Sequence, residues 1–101
     1  MSEAPEIVDN VAKSRFETVV DGRLAELVYR RDGDRLVLIH VGVPDAIGGR
    51  GIGAMLVTAA IDEAERDGRT VVPSCPFARH WLRHHPDAAA RVVVDWSRGP
   101  N

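Results

Sequence analysis

The stretch Gly48-Gly49-Arg50-Gly51-Ile52-Gly53 decides the predicted fold, because it joins a predicted strand to a predicted helix. Before it, Arg35-Leu36-Val37-Leu38-Ile39-His40-Val41 is an apolar, β-branched run typical of a central strand, which Pro44 ends. After it, apolar residues recur at helical spacing over residues 52–64. Glycines let backbone amides approach a ligand, and a helix start adds unpaired N–H groups. The arrangement therefore predicts a site for phosphate or pyrophosphate.

Two further strand-like runs precede the central strand, at residues 16–20 and 24–30. The turn signals Asp21-Gly22 and Asp32-Gly33-Asp34 separate the three runs. Tight turns can join only antiparallel neighbours, since parallel strands need a longer crossover. The sequence therefore predicts a three-stranded antiparallel meander.

Beyond the predicted helix, the chain is expected to return to the same sheet. Gly68 suits the C-terminal cap of the helix, and Val71-Val72 predicts a short strand ended by Pro73. A strand, a helix and a strand in succession favour a crossover onto one sheet. Ser74-Cys75-Pro76 then predicts the start of a second helix. The expected buried face of that helix consists of Phe77, Trp81 and Leu82.

The composition describes one small, nearly neutral domain of 101 residues, with 13 basic and 15 acidic side chains and a net charge of −2. We predict an α+β fold over residues 15–87, in which helices flank a mixed, mostly antiparallel sheet. Residues 1–14 are expected to form a frayed end or a short lead-in. The structure of the tail, residues 88–101, stays open at this point.

Several classes of protein are excluded by the same sequence. No apolar run reaches the ~20 residues that span a membrane, and the acidic start lacks a signal-peptide pattern. Cys75 is the only cysteine, which excludes an intramolecular disulfide and a four-cysteine zinc site. His80 and His84 lie four apart but lack a third ligand, so we expect no metal site. We predict a cytoplasmic monomer or homodimer without nucleic-acid or membrane partners.

The glycine loop narrows the ligand by elimination. A Walker loop needs a Gly-Lys-Ser/Thr ending, which this loop lacks. A dinucleotide fingerprint needs a parallel strand–helix–strand unit with an acidic residue after its second strand, and Val71-Val72-Pro73 offers none. Coenzyme A is the remaining option.

Four segments carry a resemblance to a known family. They are His40-Val41-Gly42-Val43-Pro44, Gly49-Arg50-Gly51-Ile52-Gly53-Ala54-Met55-Leu56, Val72-Pro73-Ser74-Cys75-Pro76-Phe77 and His85-Pro86. Together they resemble the small GCN5-related N-acetyltransferase-like proteins, the compact branch with a Cys-Pro-Phe segment after the fourth strand. The resemblance extends over about residues 16–86, most of the chain.

The resemblance implies a sheet that splays open where acetyl-CoA enters, and transfer of the acetyl group to an unidentified amine. It implies pantetheine along the strand end and pyrophosphate on the backbone amides of residues 49–53. The predicted cofactor-binding residues are Val41, Gly42, Val43, Gly48, Gly49, Arg50, Gly51, Ile52, Gly53 and Ala54.

Two side chains are predicted to be catalytic. His40 lies at the end of the central strand, and an imidazole with an ordinary pKa near ~6.5 can take a proton from an ammonium group. Cys75 lies at a predicted helix start, where a thiolate is favoured, and could protonate the departing sulfur or accept the acetyl group. The alternatives are a histidine satisfied by backbone groups and a small buried cysteine.

The sequence departs from the family pattern at two positions, which supports a second hypothesis. The family commonly has an acidic residue where Gly42 lies and a basic one where Gly48 lies. Their loss favours a non-catalytic module that binds CoA, acetyl-CoA or another protein. The late tyrosine used as an acid by larger relatives is not carried over, since Tyr29 lies on an early strand.

Overall fold

A five-stranded sheet in the order β1-β2-β3-β4-β5 is the framework of the protein, whose computed structural model describes residues 5–97. The strands are β1 (Val8–Asn10), β2 (Arg15–Val20), β3 (Arg23–Asp32), β4 (Arg35–Gly42) and β5 (Thr70–Pro73). The helices are α1 (Ile52–Asp67), α2 (Pro76–His84) and α3 (Pro86–Ala89), with short 3-10 helices at Val11–Lys13 and Asp45–Ile47.

The pairing of the strands confirms the predicted mixed, mostly antiparallel sheet. Strands β1 to β4 pair antiparallel in sequence order, whereas β4 and β5 are parallel and are connected through α1. The first hairpin turns at Asp21 and Gly22, whose φ angles of 51° and 74° suit the tight turn of a twisted hairpin. The meander and the crossover therefore follow the turn signals of the sequence.

One apolar core joins the sheet to the helices. Helix α1 presents Ile52, Leu56, Val57, Ala60 and Ile61 to it, at the helical spacing of the sequence. The sheet contributes alternate side chains, namely Phe16, Ala25, Leu27, Tyr29, Leu36 and Leu38. Intervening residues such as Glu26 and Val28 therefore point to the opposite face of the sheet.

The N-terminal segment differs from the expected frayed end or lead-in. Strand β1 pairs along β2, and Arg31 contacts Asp9 of β1 at 3.0 Å while also donating to Glu63 of α1. The hydroxyl of Tyr29 donates to Asp9 and accepts from Arg31 at 2.8 Å. This network holds the short polar strand in place. Residues 1–4 of the predicted lead-in lie outside the described residues.

The same network shifts the pKa of its four members. Despite the burial of Arg31, the bonds that it donates raise the pKa of that guanidinium further. Burial raises the pKa of Glu63, whose residue is only 4% exposed. Burial and the bond to Asp9 raise the pKa of Tyr29 to about 12. Burial alone would raise the pKa of Asp9, but hydrogen bonds led by Tyr29 outweigh it and lower that pKa.

The structure of the C-terminal tail was not predicted from the sequence; the tail packs beside β5. Helix α3 begins at Pro86, and Val94 then forms an isolated parallel bridge with Val71. The amide of Val71 donates to the carbonyl of Val93, and the amide of Asp95 donates back to the carbonyl of Val71. The part of the tail at 98–101 lies outside the described residues. Within residues 5–97, no helix combines the length and apolar character needed to cross a membrane.

Candidate functional site

A cleft opens where β4 continues beyond its partner β5. The parallel pairing ends at Leu38 and Pro73, but β4 runs on to Gly42. The last bond across the gap is donated by the amide of Cys75 to the carbonyl of Leu38, at 2.8 Å. Alternate amides and carbonyls of residues 39–42 face away from β3. They provide an open strand edge beside the cleft.

A β-bulge marks the same position on β4. Tyr29 pairs with Leu38, whereas the preceding residue Val28 pairs with His40, so that Ile39 is the extra residue. A bulge bends and twists its strand, and bulges occur often beside active sites. The bulge thus lies where the pairing of β4 with β5 ends.

The glycine loop lies at the end of this cleft and presents unpaired amides. Gly49 and Gly51 have φ angles of 76° and 75°, which favour glycine, and no atom lies within 4 Å of where their Cβ atoms would be. Within residues 5–97, the backbone N–H groups of residues 49–54 donate no hydrogen bond; the first helical bond runs from Met55 to Gly51. Consecutive free amides at a helix start suit an anionic group.

The charged residue of the loop contacts the first hairpin. Arg50 forms an exposed ion pair with Asp21 at 2.9 Å. Such pairs contribute little to stability, and a phosphate can replace one carboxylate as the partner of a guanidinium. The Arg50 side chain could therefore exchange Asp21 for an anion bound at the loop.

The comparisons with known proteins agree with this geometry. A family model described as GCN5-related N-acetyl-transferase matches residues 15–92. The chain belongs to that family. It is also similar to a GCN5-like candidate N-acetyltransferase from Staphylococcus aureus, known from an NMR solution structure, with 28% identity and a TM-score of 0.71. The match covers 91% of each chain. The predicted family, fold and assignment as an N-acetyltransferase are thereby confirmed.

In this acetyltransferase the predicted cofactor-binding residues lie in two segments. Val41, Gly42 and Val43 lie at the end of β4, and residues 48–54 form the loop and first turn of α1. His40 is exposed beside them. Its Nε2 atom lies 3.1 Å from where a Cβ of Gly42 would be, so the imidazole covers the glycine.

Cys75 belongs to the apolar core, as in the alternative of a small buried cysteine. It is the N-cap residue of α2, and only 3% of its surface is exposed. Its backbone amide bridges to β4, but no hydrogen bond joins its thiol to His40 in the described part of the chain. The two predicted catalytic side chains are therefore not brought into contact, since that of Cys75 is buried in the core and that of His40 is exposed at the end of β4.

The sequence misplaced one aromatic ring. Phe77 was expected in the core but is 43% exposed, while Leu82 of the same helix is buried and Trp81 is partly buried. A Cβ on Gly53 would lie 2.7 Å from the Phe77 ring, so the ring covers the first turn of α1. Helical periodicity places Phe77 on the same face as the buried residues. It does not indicate that the first turn of α2 borders a cleft. Phe77 instead forms a wall of the site.

Sequence reasoning also missed Glu26, a carboxylate directly opposite Gly42 on the neighbouring strand. A Cβ of Gly42 would lie 3.8 Å from Glu26 Oε2. The pairing of Glu26 with Gly42 depends on the bulge, which has no signal in the sequence. No group of three or more potential metal ligands is assembled within residues 5–97.

Proposed function

We propose that the protein transfers the acetyl group of acetyl-CoA to an amine, with the cleft between β4 and α2 as the donor site. The observation that carries this proposal is the row of free amides at residues 49–54 next to the open edge of β4. The amides suit a pyrophosphate, and the strand edge suits the peptide-like groups of pantetheine. Membership of the family supports the same donor.

The residues present fit coenzyme A in shape as well as in charge. Gly49 and Gly51 leave open space above the loop, and Gly42 leaves the strand end unobstructed by a side chain of its own. Gly48 precedes the free amides, and Ala54 carries the last of them. The Phe77 ring adds an apolar wall beside Gly53. These residues would hold the donor mainly through backbone groups.

Bound acetyl-CoA supplies an acetyl thioester, an activated carbonyl that a neutral amine can attack. His40 accepts a proton from the incoming ammonium, since it lies exposed at the strand end. Backbone N–H groups on the open edge near Val41 and Val43 polarise the carbonyl oxygen. Cys75 donates its S–H proton towards the departing sulfur, or accepts the acetyl group and passes it on.

The second hypothesis is a non-catalytic module that binds CoA or another protein. Such a module would use the same cleft but would transfer no acetyl group. The absence of an acidic side chain at Gly42 favours it, since an acetyltransferase must anchor or deprotonate its amine. The exposed His40 and the carboxylate of Glu26 weigh against it, because they supply both functions beside that glycine.

The proposal is tested by release of free thiol from acetyl-CoA in the presence of primary amines. We expect amine-dependent release, which His40→Gln lowers by about a hundredfold, in the range of one general base. Binding of acetyl-CoA without release for any amine would support the non-catalytic module. Failure to bind acetyl-CoA at millimolar concentration would overturn the proposed transferase and would leave only a module that binds another protein.

Intact mass after incubation with acetyl-CoA tests the role of Cys75. An acetyl adduct that disappears in Cys75→Ala would identify Cys75 as an acetyl carrier. An adduct that persists in Cys75→Ala rules out Cys75 as the sole acceptor. Lys13, the only lysine, is the main competing side chain, and Lys13→Arg is the matched control.

A further inference from the structure

A small cleft opens at the end of β4, on the face of the sheet opposite α1. It has a volume of about 320 Å³ and is lined by Leu24, Glu26, Gly42, Val43 and Pro44. That volume is at the lower end for sites that hold small molecules. Its apolar walls and single carboxylate suit a short hydrocarbon chain that ends in a positive charge.

The missing side chain of Gly42 brings two reactive groups to the same point. A Cβ at Gly42 would lie 3.1 Å from His40 Nε2 and 3.8 Å from Glu26 Oε2. Glycine therefore allows the imidazole and the carboxylate to approach the same residue of β4. A side chain at this position would crowd His40, since 3.1 Å is closer than Cβ atoms normally approach.

Glu26 is held in position by charged neighbours on the same face. Its Oε1 atom accepts from Arg15 at 3.2 Å, and Arg15 also binds Glu17 at 2.6 Å. Asn10 donates to Glu17 at 3.1 Å and fixes the far end of this row. Within residues 5–97, Glu26 Oε2 accepts no hydrogen bond. One oxygen is thus used for positioning, and the other faces the space above Gly42.

We propose that Glu26 and His40 form the acceptor site for an alkylammonium group, which rests on the proposed function. The carboxylate of Glu26 binds the ammonium by a charge-assisted hydrogen bond, while Leu24, Val43 and Pro44 contact its carbon chain. His40 then takes one proton from the ammonium, which leaves a neutral amine and an imidazolium. The site selects aliphatic primary amines, free or as a lysine side chain, and rejects acceptors that carry a carboxylate near the amine.

The site is tested by titrating the ¹⁵N-labelled protein with butylamine, alone and in the presence of CoA. We expect saturable shifts of the amides of Glu26, Gly42 and Val43, which weaken at high salt. Glu26→Gln should raise the Kd about tenfold, at the lower end for a bond to a charged group. Glu17→Gln is the matched control, since it also contacts Arg15 but lies a strand further from His40, and it should change the Kd much less than Glu26→Gln.

A second variant and two further ligands sharpen the result. Gly42→Ala should weaken butylamine binding, because its methyl group would lie 3.1 Å from His40 Nε2 and displace the imidazole. Butyrate, which has the opposite charge, should cause no shift. Butane-1,4-diamine and a short peptide with one lysine distinguish a free amine from a protein side chain as the source, and binding of either supports the site.

Equal effects of Glu26→Gln and Glu17→Gln would overturn the proposal, as would the absence of butylamine shifts at these amides. A titration of the same sample with acetyl-CoA separates the two failures. If acetyl-CoA binds and amines do not, the acceptor site alone is wrong. If amines bind and acetyl-CoA does not, the acceptor site stands and the proposed function fails.

Discussion

Gly51 illustrates how single residues shape the donor site. It caps the start of α1 with a φ of 75°, a left-handed conformation that L side chains rarely adopt. This conformation turns the chain from the loop into the helix, next to the free amides of residues 49–54. The residue type is therefore set by backbone geometry and not by side-chain packing, since nothing lies within 4 Å of its missing Cβ.

We expect Gly51→Ala to lower the free energy of unfolding by about 1 kcal/mol, the cost of a non-glycine residue in the left-handed region. Urea denaturation measures the effect. Gly51→Asn is the control, because asparagine tolerates this conformation better, and it should recover part of the loss. Equal stability of Gly51→Ala and the unmodified protein would contradict the assigned conformation.

The elements were predictable where the sequence carries local signals. The meander could be predicted from its turn residues, Asp21-Gly22 and Asp32-Gly33-Asp34. Helix α1 could be predicted from the helical spacing of its apolar residues. The sequence did not predict strand β1, because its three residues are held by side chains distant in the sequence, above all Arg31. The sequence did not predict that Glu26 lies opposite Gly42. If β3 and β4 paired from the second hairpin without a bulge, Glu26 would lie opposite Val41. The bulge at Ile39 moves Glu26 opposite Gly42.

Tyr29→Phe tests the network that holds β1. The variant loses the hydroxyl that links Asp9 to Arg31, while the direct contact between those two residues at 3.0 Å remains. We expect a loss of about 1 kcal/mol in the free energy of unfolding. Hydrogen exchange should accelerate in β1 and its neighbours on β2 but not in β4. Uniform acceleration throughout the sheet would show that the network does not act locally on β1.

At the scale of the whole molecule, Asp95 ties the tail to the sheet. Hydrogen bonds from Ser97 and then Arg35 lower the pKa of Asp95 well below its ordinary value of 3.8. The folded protein thus binds this proton less tightly than the unfolded chain does. The stability contributed by the carboxylate is present above about pH 4 and is lost as the pH falls further.

We therefore expect Asp95→Asn to reduce the acid dependence of stability. The difference in thermal midpoint between the unmodified protein and the variant should be largest near neutral pH and shrink below about pH 4. Glu63 acts in the opposite sense, since its raised pKa favours the folded state at low pH, and it is unchanged in both proteins. A difference in midpoint that does not vary with pH would contradict the assigned role of Asp95.

We propose that one cleft, between β4 and α2 with the glycine loop at its end, binds acetyl-CoA. The most direct measurement is a titration of the ¹⁵N-labelled protein with acetyl-CoA, followed by amide chemical shifts. We predict saturable changes concentrated at residues 39–43 and 49–54, with smaller changes at Phe77 and Cys75. Unchanged amides in both segments at millimolar acetyl-CoA, or shifts confined to β1 and the tail, would contradict the account.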